Sequence, residues 1–587
     1  MNAEVTQPRP AVKLLGLVLI FLLALVPRLF SAQTLGWDWD YPGSFMLVNF
    51  DEGGSCRAAL QGFDYSPFVG RQTIAITTAL GSPPPALGVS DAQVKRYCHS
   101  VEHLMVARGY AAVTGALTAA LVVLLTWMLA PALPAAAWVA GALVAVSPFH
   151  MAESHSGTVD APSVFFIYLF ITVFAFAVRN SYGSDGAAPS ASNEPSKRWV
   201  AAAWVAVPLL LLAAVWTKYW VFAPFALLAL LPVRWWQYIS HGMARWQWFA
   251  IPLAGAGLFG AMGVLPFRDS RLVWLLALFY LLIPWRKVHP PMAVVWLLVP
   301  PLTWAVCQIE LIAHYTASTY SGRFGTSYGA VGWNKPLRNL LNLPLLLMLG
   351  LGLPACLFLP AGARAIARGQ GRARVWCCLL PLGAFALFMW LVAPITYYRH
   401  YLALIPAAAI VAAVGLFSTR WGQRRWMLLV VIAWPALLAV DYVSDYHRDP
   451  RMALRQWYQE HPGARVYFSY YVNPPRGHNQ LFRPELAGGD GAALRQGEYL
   501  ILSENWYDTS FANELNGPLV SDPGRLIKTK PEYVAFYRTA LAGEHPYLTA
   551  ERTLALHHFM PELLLHRWLY GNPQVFVGDL KIFRIHD

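Results

Sequence analysis

Charge is what this sequence lacks. Only 13% of its 587 residues are Asp, Glu, Lys or Arg, while 57% are hydrophobic. A soluble globular chain carries about 25% charged residues. The shortage excludes an ordinary water-soluble fold for most of the chain. Acidic residues are the scarcer sign, 31 against 44 basic ones, which leaves a net charge of +13. That surplus raises the question of nucleic acid, yet the Lys and Arg residues never gather on one basic face. They recur in short loops between apolar runs, as in the cytoplasmic loops of membrane proteins, so no nucleic-acid partner is expected. Internal repeats are lacking too, which disfavours a transporter built from paired halves.

What is abundant is apolar sequence. A membrane-spanning helix needs roughly 20 mainly apolar residues, and such runs recur from the N-terminus to about residue 440. The first, Val12–Phe30, is followed by Phe30-Ser31-Ala32, with a bulky side chain where signal-peptide cleavage requires a small one; it reads as a retained span. With Arg9 and Lys13 cytoplasmic, this span delivers a long loop, 31–103, to the outside. Alternating from there predicts about thirteen spans. Basic clusters such as Arg234 and Arg245, Arg286 and Lys287, Arg364 to Arg374, and Arg420 to Arg425 then all fall on the cytoplasmic side. The expected architecture is a polytopic α-helical membrane unit, 1–440, followed by an extracytoplasmic α/β domain, 441–587. A bacterial inner membrane is the expected location, with membrane lipids as surroundings.

In the last segment, Asp449-Pro450 predicts a capped helix over 450–460. Arg465–Tyr471 and Tyr499–Ser503 read as strands, and Pro531–Ala542 as a helix closed by Gly543. Gly578-Asp579 between two short apolar runs reads as a hairpin turn. No metal or nucleotide motif is visible there. Of six cysteines, Cys56 and Cys98 both fall in the long outer loop, a disulfide candidate in an oxidising compartment, with two free thiols as the alternative.

The same topology collects reactive groups on the outer side. Asp51 and Glu52 follow the first span; Glu153, His155 and Asp160 lie between the expected spans at 133–149 and 161–178; Lys218 lies between those at 199–216 and 219–233. His314, Tyr320 and Arg323 follow the expected span at 292–312, and Arg399 and His400 follow the one at 375–393. A phosphate leaving group needs fixed positive charge, which Lys218, Arg323 and Arg399 can supply. A hydroxyl or amine acceptor needs a carboxylate to take its proton, a role suited to Asp51. A divalent cation, held by Glu153 or His155 among others, is compatible with the acidic and imidazole groups but not required by them.

These positions resemble a known group. Asp51-Glu52-Gly53 after the first span resembles the acidic first-loop motif of the GT-C glycosyltransferases. The nearest branch is the lipid-carrier-dependent one that includes protein O-mannosyltransferases and lipid A aminoarabinose transferase. Arg108 and its apolar span, Val159-Asp160-Ala161-Pro162, Thr217-Lys218-Tyr219, Tyr398-Arg399-His400-Tyr401-Leu402 and the terminal Gly578-Asp579-Leu580-Lys581-Ile582-Phe583 each resemble segments of that branch. The resemblance implies a polyprenyl-phosphate-linked sugar donor, inverting transfer, Asp51 as base with Glu52 and Asp160 as further acidic positions, and Lys218 and Arg399, with Arg323 and His400 near them, facing the lipid phosphate. The acceptor stays open among lipid, glycan and protein. One segment departs from the pattern. Relatives often carry a His- or Lys-Pro-Pro segment soon after the acidic pair, whereas this chain has Tyr65-Ser66-Pro67-Phe68 and, later, Ser82-Pro83-Pro84-Pro85.

Each position has a plainer alternative. Asp51 and Glu52 can be a solvated loop pair, Asp160 a helix cap, Lys218 a snorkelling lysine, Arg399 an interfacial anchor, and Glu153 and His155 ordinary loop residues. A transporter and a polysaccharide ligase or polymerase are the competing functions.

Overall fold

The structure is a computed structural model. It describes residues 10–35, 49, 51–62, 66–86, 88–182, 197–219, 334–368, 379, 382–383, 385–386, 398–469, 472, 480–482, 494, 497–504, 531–570, 572–573 and 577–586. The stretch 220–333, which holds several of the expected spans together with His314, Tyr320 and Arg323, lies outside the described residues, as does most of the expected span at 375–393.

Among the described residues, five helices are long and apolar enough to cross a membrane, or six if one bent pair counts as a single span. The chain is therefore a polytopic helical membrane protein. Helix α1 (Pro10–Thr34) leads, and the first loop holds three short helices, α2 (Gly54–Gln61), α3 (Pro67–Ala79) and α4 (Asp91–Cys98). Then come α5 (Val101–Leu129), α6 (Pro134–Ala145), α7 (Pro148–Glu153), α8 (Asp160–Tyr182) and α9 (Lys197–Ala214), the last running into a π-helical turn at Val215–Tyr219. The burial of these helices orders them. Helices α5 and α8 are mostly enclosed by protein, whereas α1 shows Leu14, Leu19 and Phe30 on its outer surface, as a lipid-facing helix does. Helix α5 can be central because Ala111, Ala112, Gly115, Ala116 and Ala119 let its neighbours approach closely.

Two expected spans come out divided. The stretch 133–149 is a 12-residue helix, α6, followed after Val146 and Ser147 by the separate α7. Arg28 of α1, wholly buried, explains the break. Its guanidinium donates to the carbonyls of Val144 at 2.9 Å and Ala145 at 2.7 Å, the open end of α6. Downstream, α10 (Asn334–Leu351) turns by 119° at Gly352 into α11 (Leu353–Cys356) and α12 (Leu359–Arg368). Gly352 has φ +75°, a conformation that ends a helix, and Pro354 starts the next. Helix α12 packs on α13 (Leu404–Phe417) through Gly362 and Gly415, where any Cβ would strike the facing backbone. Helix α14 (Arg425–His447) is the last apolar helix and runs seven residues past the expected end at 440.

The C-terminal segment is an α/β layer structure. It comprises α15 (Pro450–Glu460), β1 (Val466–Phe468), β2 (Gln480–Phe482), β3 (Tyr499–Ser503), α16 (Pro531–Ala542), β4 (Leu548–Leu554), α17 (Pro561–Tyr570) and β5 (Leu580–Ile585). The strands form one mixed sheet in the order β2-β1-β3-β5-β4, with β1 parallel to β2 and β3, and β5 antiparallel to β3 and β4. Alternation along β3 sets the two faces. Leu500 and Leu502 pack with Phe536, Tyr537 and Ala540 of α16, while Ile501 packs with Leu454, Trp457 and Tyr458 of α15. Asp449 caps α15 by accepting from the Arg451 amide at 2.9 Å, as its sequence predicts. The Gly578-Asp579 hairpin is a correction. Val577 lies outside any strand, and Asp579 instead accepts from the Leu556 amide at 2.8 Å and from Arg567 at 2.6 Å, which makes it a junction rather than a turn.

The first loop is closed by a disulfide between Cys56 of α2 and Cys98 of α4, 42 residues apart. A cross-link over a loop of that length restricts the unfolded chain by about 4 kcal/mol in the chain-entropy estimate. Replacing both cysteines with serine is expected to lower the melting temperature of the purified protein, and reductant should reproduce the loss in the wild type but not in the variant.

Candidate functional site

Five separate segments bring five charged side chains together. Asp51 stands in the turn before α2, Glu153 ends α7, Asp160 opens α8, Lys218 lies in the π-helical turn after α9, and Arg399 lies in a short 3-10 turn, Tyr398–Tyr401, before α13. Arg399 Nη1 is 2.6 Å from Asp51 Oδ2. Lys218 Nζ is paired with Asp160 Oδ1. Glu153 lies within electrostatic reach of all four, with Asp160 the strongest of these influences. Its Oε2 is shielded from solvent and has no hydrogen-bond partner. Burial pushes the Glu153 carboxyl up to about 8; Asp160 and Asp51 add to the rise, and Arg399 and Lys218 oppose it. Near neutral pH the cluster is thus two ion pairs beside a mostly protonated acid.

Local structure explains each placement. Asp51 is fixed by its amide, which donates to Asn49 Oδ1 at 2.9 Å. The turn continues through Gly53 at φ +77°, where a Cβ would come within 2.6 Å of the His99 ring. The Lys218 turn is held from the first loop, since the Ser66 hydroxyl donates to the Trp216 carbonyl and Phe68 packs against the Trp216 ring at 5.4 Å. The Arg399 turn is anchored by Tyr168 of α8, whose hydroxyl donates to the Ala403 carbonyl at 2.9 Å. Asp160 is the first residue of α8, so its carboxylate both faces Lys218 and sits at a helix N-terminus.

The remaining candidates sit elsewhere or out of view. Glu52 has its own set of partners. Arg108 of α5 donates Nε to Glu52 Oε1 at 2.7 Å and Nη2 to Oε2 at 2.8 Å, and the Gly157 amide donates to Oε1 at 2.8 Å. Both Glu52 and Arg108 are fully buried. His155 bonds to the Ser31 hydroxyl at 3.1 Å and lies edge-on to Tyr446 at 4.5 Å. Burial, reinforced by Arg108, His447 and Arg28, holds its imidazole well below the ordinary range, hence neutral. The His400 side chain and Arg323 are outside the described residues. Arg28 was not among the sequence candidates, although a lone charge inside an apolar run is a readable signal. Three carboxylates here offer oxygen to a hard divalent cation, but Lys218 and Arg399 already pair with two of them.

Residues 59–282 match the family of dolichyl-phosphate-mannose-protein mannosyltransferases. The match marks the chain as a glycosyltransferase. It also bears out the resemblance carried by the motifs. The matched segment is less than half of the chain; it contains Glu153, Asp160 and Lys218 and begins just after Asp51. Among solved structures, the archaeal oligosaccharyltransferase AglB from Archaeoglobus fulgidus, in complex with an inhibitory peptide and a dolichol-phosphate, is similar at 14% identity and a TM-score of 0.46, over 85% of this chain and 70% of that one. ArnT from Cupriavidus metallidurans, bound to undecaprenyl phosphate, is similar at 16% identity and a TM-score of 0.43, over 84% of this chain and 93% of that one. A comparison with curated protein sequences finds no match.

Glu52→Gln is expected to destabilise the protein by about 3–5 kcal/mol, because it leaves Arg108 buried beside a neutral group; thermal unfolding in detergent checks this. The Glu153 carboxyl takes up a proton more readily folded than unfolded, so its contribution to stability is full below about 4.5 and declines as pH rises towards about 8. Glu153→Gln should therefore flatten the fall in melting temperature across that window.

Proposed function

We propose that the protein moves a sugar from a polyprenyl-phosphate-linked donor to an acceptor on the extracytoplasmic face of a cell membrane, by inverting displacement. The observation that carries this reading is the meeting of the Asp51–Arg399 and Asp160–Lys218 pairs beside Glu153. Transfer to an acceptor hydroxyl or amine forms a bond from that atom to the anomeric carbon and breaks the bond from that carbon to phosphate oxygen. The acceptor proton goes to Asp51. The charge left on the lipid phosphate is met by Arg399 and Lys218. Glu52 is assigned a positioning role, holding the turn that carries Asp51, and Asp160 orients Lys218.

The membrane arrangement that goes with this reading is thirteen spans with the N-terminus cytoplasmic, a membrane unit through residue 440, and the 441–587 domain on the same side as Asp51. The alternation of basic loops along the sequence supports it.

The pairing has a consequence for donor binding. Arg399 can receive a lipid phosphate only by loosening from Asp51. Asp51→Asn is therefore expected to abolish transfer while tightening the binding of polyprenyl phosphate, by up to about tenfold where the lost pair is worth about 1.4 kcal/mol. Arg399→Ala should weaken that binding. Wild-type transfer by Asp51→Asn would remove Asp51 as the base, and failure of the unmodified protein to bind polyprenyl phosphate would overturn the donor.

A further inference from the structure

A second cluster of buried charge lies where the last apolar helix meets the C-terminal domain. It shares no residue with the five-residue site. Asp441 and Asp445 are one turn apart on α14, so their carboxylates share a face, and both residues are fully buried. Facing them is His558, from the segment between β4 and α17, with a side chain 0% exposed.

The distances are informative. His558 Nδ1 is 3.4 Å from Asp445 Oδ2 and 3.7 Å from Asp441 Oδ1. An N–H···O hydrogen bond spans about 2.7–3.2 Å, and neither ring nitrogen of His558 has a hydrogen-bond partner although both are shielded from solvent. The three donor atoms nonetheless lie within 4.8 Å of one another. A tetrahedral ion bound at about 2.0–2.1 Å holds its donor atoms about 3.4 Å apart. The two His558 separations, 3.4 and 3.7 Å, are wide for hydrogen bonds and close to that edge length.

The surroundings orient these donors. Asp441 Oδ2 accepts from the amides of Phe559 at 2.8 Å and Met560 at 2.7 Å, which fixes the carboxylate with Oδ1 on the His558 side. Arg448 lies against both carboxylates, with Nη2 3.0 Å from Asp445 Oδ1 and 3.4 Å from Asp441 Oδ1. Its side chain is 43% exposed, so it supplies one positive charge from the solvent edge against two buried carboxylates. An imidazole nitrogen with two carboxylate oxygens is a zinc-type donor set, whereas Mg2+ and Ca2+ favour oxygen alone.

We propose that Asp441, Asp445 and His558 bind one transition-metal dication of the zinc class, with water completing the tetrahedron. The ion is structural. It ties the end of α14 to the segment that leads into α17, beside a second tie in which Glu562 Oε1 accepts from Trp434 Nε1 at 2.6 Å and from the Leu353 amide at 3.0 Å. The inference is independent of the sugar-transfer reading.

Metal content decides it. The full-length protein, purified in detergent, loaded with zinc and freed of excess, should hold about one zinc per chain by elemental mass spectrometry. His558→Ala and Asp445→Asn should fall to background, and Glu153→Gln and Asp160→Asn should keep the metal, which separates this site from the carboxylates of the transfer site. Should the first two variants fail to fold, the unaltered protein still answers: chelator should lower its melting temperature and zinc restore it. No zinc in the loaded wild type, equal zinc in His558→Ala, loss of zinc in Glu153→Gln, or a melting temperature indifferent to chelator would each overturn the proposal.

Discussion

The Glu52–Arg108 pair is the contact on which the arrangement of the site depends. Moving two full charges out of water costs several kcal/mol per ion, a cost offset only by close geometry and additional hydrogen bonds. Both conditions are met. The pair is bidentate, Glu52 also accepts from the Gly157 amide, and Arg108 Nη1 donates to the Leu35 carbonyl at 2.6 Å. The end of α1, the first loop, α5 and the segment after α7 thus converge on one ion pair. Asp51 inherits its position from this junction, because it is the covalent neighbour of Glu52. The disulfide closes the same loop from its other side, and the Glu153–Asp160 segment is pinned through Gly157. A rigid acidic corner results, against which the Lys218 and Arg399 turns are set.

How much of this the sequence discloses differs from residue to residue. The alternation of basic loops was enough to gather Asp51, Asp160, Lys218 and Arg399 on one side, because topology acts on whole spans and tolerates errors at their ends. It could not say that Asp51 would pair with Arg399, or that its neighbour Glu52 would turn to Arg108. Adjacent carboxylates look alike in sequence, and the left-handed Gly53 that follows them sets the backbone only within the fold. The division of 133–149 into α6 and α7 was hidden for a similar reason: its cause, Arg28, lies more than a hundred residues away. In the C-terminal domain, β1, β3, α15 and α16 announced themselves through apolar runs and caps. Strand β4 did not. It runs along the sheet edge with Thr549–Thr553 exposed between buried Leu548 and Leu554, and so shows no alternation of period two.

The C-terminal domain and the membrane helices are joined by polar contacts buried in apolar surroundings. Asp441 on α14 receives two backbone amides from the segment before α17, and Glu562 on α17 reaches Trp434 on α14 and the start of α11. Such contacts fix orientation more strictly than apolar packing does, because a small displacement leaves a carboxylate without its donors. The bend at Gly352 is held by the same junction, since the amide that Glu562 accepts from is that of Leu353, the first residue after the bend.

Charge balance gives the five-residue cluster its chemical sense. With Glu153 protonated, Asp51 and Asp160 are matched by Arg399 and Lys218, and the empty site is neutral. A sugar linked to a lipid phosphate through a diester enters with a single negative charge. In the proposed transfer the phosphate becomes a monoester when the sugar leaves and gains a second one, while Asp51, as the proposed base, takes the acceptor proton and loses its own. The site therefore has the same net charge before and after transfer. The step moves negative charge from the carboxylate to the phosphate, and Arg399, already in contact with Asp51, stands where it can follow that charge. In a partly buried site, where the Asp51 side chain is 27% exposed and that of Arg399 13%, a change in net charge would still meet a desolvation cost, which a relocation between neighbouring groups avoids. A base paired with a cation looks handicapped when considered alone. In the proposed reaction the pairing links its two halves, since the cation that restrains the base is the one the leaving group would require.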